Sequence, residues 1–360
     1  MIMPNDRAWV ATRKGLFELR RSGAGWRIAQ ISFLGEPVSM LLPPQPDGRM
    51  LAALNLGHFG VKLHRSGDAG ATWAEVATPT YPEQPAEATG VPWKLVQVWS
   101  LQATPGTVWA GTLPGGLFRS DDFGDHWQLV RGLWDRPERA EWFGGGYDVP
   151  GIHSICPHPD RPGELLVGIS CGGAWTTTDG GASWANTSRG MRADFMPPEQ
   201  AGNPNTQDPH CIVRCAAAPQ TLWCQHHCGI WRSVDGGANW IELKTAPVSA
   251  FGFAVAVHPR DPDTAWFVPA IADQTRVPVD GALVVNRTRD GGRSFETLRE
   301  GLPQLNAYDL MYRHALDVAA DGRTLLMGST TGGLWASDDG GDHWQTVSLN
   351  LPPIAAVRFG

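Results

Sequence analysis

The chain has 360 residues, 18% of them charged, with 43 Gly, 29 Pro, 17 Trp and a net charge of −7. Many turn formers and many large apolar plates in a weakly charged chain describe short strands, frequent turns and buried rings. An acidic balance without a Lys/Arg run argues against a nucleic-acid partner, and no apolar run reaches the roughly 18 residues of a membrane span. Met1-Ile2-Met3-Pro4-Asn5-Asp6-Arg7 lacks the basic start and apolar core of a signal peptide, so a cytoplasmic protein with no membrane contact is expected.

In chain order, the first strand-like run is Ala8-Trp9-Val10-Ala11, followed by the turn Ser22-Gly23-Ala24-Gly25-Trp26. A fuller version of that turn then recurs. It reads Ser66-Gly67-Asp68-Ala69-Gly70-Ala71-Thr72-Trp73, then Ser120-Asp121-Asp122-Phe123-Gly124-Asp125-His126-Trp127. It returns as Thr177-Thr178-Asp179-Gly180-Gly181-Ala182-Ser183-Trp184 and Ser233-Val234-Asp235-Gly236-Gly237-Ala238-Asn239-Trp240. The last two copies are Thr288-Arg289-Asp290-Gly291-Gly292-Arg293-Ser294-Phe295 and Ser337-Asp338-Asp339-Gly340-Gly341-Asp342-His343-Trp344. With the first copy, which has lost its Asp, there are seven.

The Asp carboxylate is suited to accept backbone N–H groups across a hairpin turn, Gly supplies positive φ, and the closing aromatic residue points into apolar packing. The closing residues lie 47 to 57 residues apart, room for four strands. One repeat shows them: Ser154-Ile155-Cys156-Pro157, Leu165-Leu166-Val167-Gly168, Gly173-Ala174-Trp175-Thr176, then the Asp turn and Trp184. A period near 50 with β-rich runs bounded by Pro and Gly predicts an all-β chain, a seven-bladed β-propeller with four-stranded antiparallel blades forming a single domain over residues 1–360. Ala8–Ala11 aligns with a second strand and Ile354-Ala355-Ala356-Val357-Arg358-Phe359 with a first, so the C-terminal strand is expected to close the N-terminal blade and remove an open edge.

The phrase Ser/Thr-x-Asp-x-Gly-x-x-Trp resembles the Asp-box, or BNR, repeat of sialidase-like and glycosyl-hydrolase-like bacterial propellers, and the resemblance covers essentially the whole chain. It implies that Asp68, Asp122, Asp179, Asp235, Asp290 and Asp339 are structural and lie away from the ligand face. Sialidases typically have six blades and three arginines that grip a carboxylate. Neither feature is evident here, so a typical sialidase is not expected.

The connections from one blade's fourth strand to the next blade's first are long at 74–97, 128–152 and 185–209, and residues 270–282 form an insertion in the sixth blade. Long loops are where function concentrates. Their residues supply the candidates. Glu141 and Asp148 flank Gly144-Gly145-Gly146 and form a candidate general acid/base pair. His153 and His210 begin equivalent first strands, as does His314, and Tyr308 precedes Asp309; His153, His210 and Tyr308 join the catalytic candidates. Trp99, Trp142, Tyr147, Arg192, His227, Tyr312 and Arg313 are candidate substrate contacts. Pairing about Pro219-Gln220 is expected to bring His210 near His226 or His227. That makes His153, His210, His226 and His314 a candidate ligand set for a divalent transition metal, the one cofactor class suggested. Cys211, Cys215, Cys224 and Cys228 read as small buried thiols.

Three readings follow. The first is an enzyme of glycoside-hydrolase type acting on a carbohydrate or other small polar substrate. The second is a metal-dependent enzyme using the histidine cluster. The third is a non-catalytic scaffold gripping a partner through Trp-bearing loops.

Overall fold

The computed structural model describes residues 6–23, 25–88 and 90–360. Seven four-stranded antiparallel sheets, with very little helix, form the seven blades of a β-propeller. Their contacts divide the chain into two compact units, Ser39–Pro209 and Met1–Val38 with His210–Gly360.

The Ser39–Pro209 unit holds three blades. Their first strands are Val38–Leu42, Gln97–Thr104 and Ile152–Pro157. The fourth strands are short, down to two residues in Gln128–Leu129 and Ala185–Asn186. Apolar side chains from neighbouring blades meet in one cluster, with Trp109, Leu117, Val167, Trp175 and Trp184 among its buried members. The long segment between the second and third blades feeds the same core. A short helix, Arg131–Trp134, buries Leu133 and Trp134, and a 3-10 turn, Pro137–Glu141, leads to buried Trp142. Beyond Trp142 the stretch from Phe143 to Asp148 is mostly exposed and forms the tip of the segment.

The other unit holds four blades. Ile354–Phe359 pairs antiparallel with Arg7–Thr12, so the C-terminal strand completes the first blade as the repeat alignment requires. Arg358 adds a side-chain tie, donating to the His314 carbonyl and to its Nδ1, both at 3.0 Å. The degenerate first turn contains Ala24, which lies outside the described residues.

The recurring turn has one hydrogen-bond pattern at all six Asp-bearing copies. At Thr177 the hydroxyl accepts the buried Gly181 N–H at 3.0 Å and donates to Asp179 at 2.8 Å. Asp179 accepts the Ser183 N–H at 2.9 Å and its hydroxyl at 2.5 Å. Ser66, Ser120, Ser233, Thr288 and Ser337 repeat the hydroxyl-to-Gly contact at 2.7–2.9 Å. Gly180 and Gly181 take φ of 73° and 94°, the left-handed region that a side chain disfavours. A Cβ on Gly181 would also come within 2.9 Å of Val130.

Donors converging on each Asp favour its charged form. Hydrogen bonds from Thr72 hold Asp68 at a pKa of about 2, and those from Ser183 and Ser294 do the same for Asp179 and Asp290. The closing residues Trp184, Trp240 and Trp344 are buried. No helix among the described residues is long and apolar enough to cross a membrane.

Candidate functional site

In the Ser39–Pro209 unit, the tip folds back over the start of the strand Gln97–Thr104. Gly144 makes the reversal tight: a Cβ there would sit 2.0 Å from the Tyr147 carbonyl oxygen. The reversal sets the Tyr147 ring edge-on to Trp99, with centroids 5.2 Å apart, and Tyr147 remains 44% exposed. Trp99 also meets buried His153 edge-on at 5.5 Å. Amides sit beside these rings. The Asn55 amide donates to Gln97 Oε1 at 3.3 Å, and the Tyr147 hydroxyl points to the same oxygen at 3.5 Å.

Glu141, exposed on the same segment, accepts the Asn203 and Asn205 side-chain amides at 3.0 and 2.9 Å, one on each carboxylate oxygen. Two long connections are thereby braced against one another. Asp148 is exposed at the tip. Trp142 is directed into the core, 5.8 Å from Trp175, and Arg192 pairs with Asp194 at 2.7 Å on the surface. The structure thus gathers Trp99, Tyr147 and His153 but turns Trp142 inward. Asp208, which immediately precedes the strand Pro209–Arg214, is buried and accepts the Ser170 hydroxyl and the Cys171 N–H at 3.2 and 3.1 Å. A Cβ on Gly145 would come 2.6 Å from Ser170 Oγ and 3.4 Å from Asp208 Oδ2, so only glycine lets the tip approach so closely.

In the other unit, His210 is almost fully buried and its Nδ1 lies 2.6 Å from the Gly252 carbonyl. A carbonyl only accepts, so Nδ1 carries the proton and the ring's lone pair is on Nε2. The ring stacks on Phe253 at 4.3 Å and meets His227 edge-on at 5.3 Å. Phe251 lies 5.6 Å from both imidazoles. Leu222–His226 and Gly229–Ser233 leave His227 and Cys228 as a two-residue hairpin turn, which is how the expected pairing brings His227 to His210.

His226 and His314 have the opposite polarity. His226 Nδ1 accepts the Cys228 N–H at 3.0 Å, and His314 Nδ1 accepts from Arg358. His226 therefore holds its hairpin backbone, and His314 the Arg358 side chain, through the nitrogen that carries its lone pair. The insertion after Ala265–Pro269 folds over this region. Its Arg276 bonds Asp273 and the Tyr312 side chain and, like Arg313, lies 5.3 Å from the Phe253 centroid. Tyr312 meets Phe253 edge-on at 5.4 Å. Tyr308 projects, 66% exposed, while Asp309 bonds the Thr331 hydroxyl.

Sequence reasoning passed over Asn55, Gln97, Asn203, Asn205, Phe251, Phe253, Asp273 and Arg276. Phe251 and Phe253 carried a usable signal: alternate residues at a strand start share one face. The amides carried none, because only tertiary folding makes them neighbours of Tyr147 and Glu141. All six cysteines are free thiols, five of them buried.

No family model matches the chain. It is 24% identical over 286 residues to a probable oligoxyloglucan-reducing end-specific xyloglucanase of Neosartorya fischeri, covering 71% of this chain but 32% of that protein. Among solved structures it is similar to the GH74 xyloglucanase of Xanthomonas campestris, with 18% identity and a TM-score of 0.65 over 96% of this chain and 53% of that one. It is also similar to YCF48 bound to D1 peptide, with 15% identity and a TM-score of 0.56 over 93% and 90% of the two chains. The chain therefore spans about a third of the curated xyloglucanase and about half of the solved one. These likenesses make it a glycoside-hydrolase-like propeller in fold.

Proposed function

We propose that the chain binds a carbohydrate at the tip of the Ser39–Pro209 unit and hydrolyses a glycosidic bond there. The observation that carries this reading is the half-exposed Tyr147 ring set against Trp99 beside the Asn55 and Gln97 amides. An apolar plate rimmed by a few placed hydrogen-bonding groups suits a sugar ring, which is apolar on its faces and hydroxylated at its edge. Glu141, oriented by two amides, and Asp148, seven residues on in the tip Phe143–Asp148, are the carboxylates assigned to the chemistry. Two carboxylates, one protonating the leaving oxygen and one acting on the anomeric side, are what glycoside hydrolysis requires. The similarity to xyloglucanases supports this choice of substrate class. We further propose that the recurring turns are Asp boxes.

The test is a screen of xyloglucan oligosaccharides and chromogenic glycosides for reducing-sugar release. Glu141→Gln and Asp148→Asn should each lower kcat/KM by about 100-fold or more. Turnover that survives both substitutions would remove the carboxylates from the mechanism. The similarity to a peptide-bound YCF48 favours a second reading, a peptide-gripping scaffold, which predicts no turnover on any glycoside.

A further inference from the structure

We propose that the saccharide site at Tyr147 continues onto Phe59, so that its ligand is an oligosaccharide of at least two rings, met between the two aromatic platforms by the Gln97 side-chain amide; the inference rests on Tyr147 being the sugar-binding ring. The platforms are linked by hydrogen bonds whose direction the backbone sets. The Gly57 N–H can only donate, and it donates to Asn55 Oδ1 at 3.4 Å. The Asn55 amide nitrogen is thereby turned to Gln97, which accepts through Oε1 at 3.3 Å, and the Tyr147 hydroxyl points to the same oxygen at 3.5 Å. With Oε1 engaged, the two N–H groups of Gln97 Nε2 are directed elsewhere. Gln97 is 9% exposed, and among the described residues its Nε2 bonds no acceptor. A nearly buried amide held by its oxygen, with its donors unmatched, is placed for an acceptor that a ligand brings.

The second platform lies on the loop that follows Asn55. Met50–Asn55 and Val61–Ser66 are joined through a 3-10 turn, Gly57–Phe59, closed by the Leu56 N–H on the Gly60 carbonyl at 2.9 Å. The turn holds Phe59 out of the core, 72% exposed, with the His58 ring against it at 3.9 Å between centroids. One exposed ring is ordinary on a protein surface, so its position carries the argument. Phe59 is two residues from Gly57, which puts its Cα within about 7 Å of the residue that anchors Asn55. Tyr147, Gln97, Asn55 and the Phe59 turn are therefore consecutive links, with an aromatic ring at each end and amides between. An oligosaccharide has the matching order: apolar ring faces separated by glycosidic and hydroxyl oxygens, which accept from Nε2. A single sugar on Tyr147 would leave Phe59 uncovered.

Calorimetric titration of the full-length protein with glucose, cellobiose and a xyloglucan oligosaccharide reads how many rings are engaged. Cellobiose should bind about tenfold or more tighter than glucose, as expected from covering a second aromatic ring. Phe59→Ala, at an exposed position, should erase that advantage with circular dichroism unchanged. Gln97→Glu keeps an oxygen for Asn55 and Tyr147 but replaces the donors of Nε2 with an acceptor, and should weaken cellobiose about tenfold or more. If Gln97→Glu does not fold, the dependence on chain length and the Phe59→Ala result decide. Leu34, exposed in the other unit, serves as control, and Leu34→Ala should change nothing. Saccharide binding that needs Tyr147 but is no tighter for cellobiose than for glucose, or is untouched by Phe59→Ala or by a folded Gln97→Glu, would overturn the extension and leave the Tyr147 site standing. No saccharide binding by the native chain would overturn both.

Discussion

Replacing Thr177 with Ala tests the energetic basis of the repeat. Thr177 is 2% exposed, and its hydroxyl is the acceptor for the buried Gly181 N–H at 3.0 Å. Ala removes the acceptor of that buried N–H, and an unsatisfied buried donor costs about 1–3 kcal/mol. The lost bond to Asp179 adds little, because that carboxylate is at the surface and water replaces the hydroxyl. Thr177→Ser keeps the oxygen and gives up one methyl group, about 0.8 kcal/mol. Ser66 and Ser120 make the equivalent contacts in the other two blades of the same unit, at 2.8 and 2.7 Å, with no partner in common. The three Ala substitutions should therefore add, to about 3–9 kcal/mol. Urea unfolding followed by tryptophan fluorescence reads the change as a shift of midpoint at constant slope. A loss below about 0.5 kcal/mol for Thr177→Ala, or an equal loss for Thr177→Ser, would refute the idea that the hydroxyl acts as a turn acceptor.

Trp175, fully buried in the core shared by two blades, donates through Nε1 to the Gly172 carbonyl at 2.8 Å. Trp175→Ala should cost about 3–5 kcal/mol in the same urea assay, and Trp175→Phe clearly less because it keeps most of the buried ring. Acid should also weaken the fold. The pKa of Asp68, Asp179 and Asp290 is lowered to about 2 from the ordinary 3.8, so their contribution is complete above about pH 4 and disappears as pH falls toward 2. A thermal-midpoint scan from pH 5 to pH 2 should show that decline. A triple Asp→Asn variant, which no longer titrates at these positions, should show a shallower one.

The fold was legible because seven turns impose one register. The hydroxyl, Asp and Gly of Thr177–Gly181 encode their own hydrogen bonds within five residues, so spacing alone located them. The closure by Ile354–Phe359 followed from the same alignment. The candidate sites were only partly legible. Hairpin pairing placed His210 near His226 or His227, and it is His227 whose ring meets it. Trp142 illustrates what sequence withholds: it neighbours Phe143 and the glycines, yet a 3-10 turn rotates it into the core while Tyr147 faces outward. The polarity of each imidazole was likewise invisible. It depends on whether a carbonyl, as for His210, or an N–H, as for His226, stands opposite Nδ1.

A saccharide site at Tyr147 is tested most directly by titrating the protein with xyloglucan oligosaccharides, comparing the native chain with Tyr147→Ala. Tyr147 is 44% exposed, so the substitution should leave the urea midpoint nearly unchanged. Oligosaccharide binding should quench the fluorescence of the native chain, in which Trp99 lies 5.2 Å from Tyr147, and Tyr147→Ala should weaken binding about tenfold, equivalent to about 1.4 kcal/mol. Equal affinity in the two proteins, or no saccharide binding by the native chain, would contradict the site.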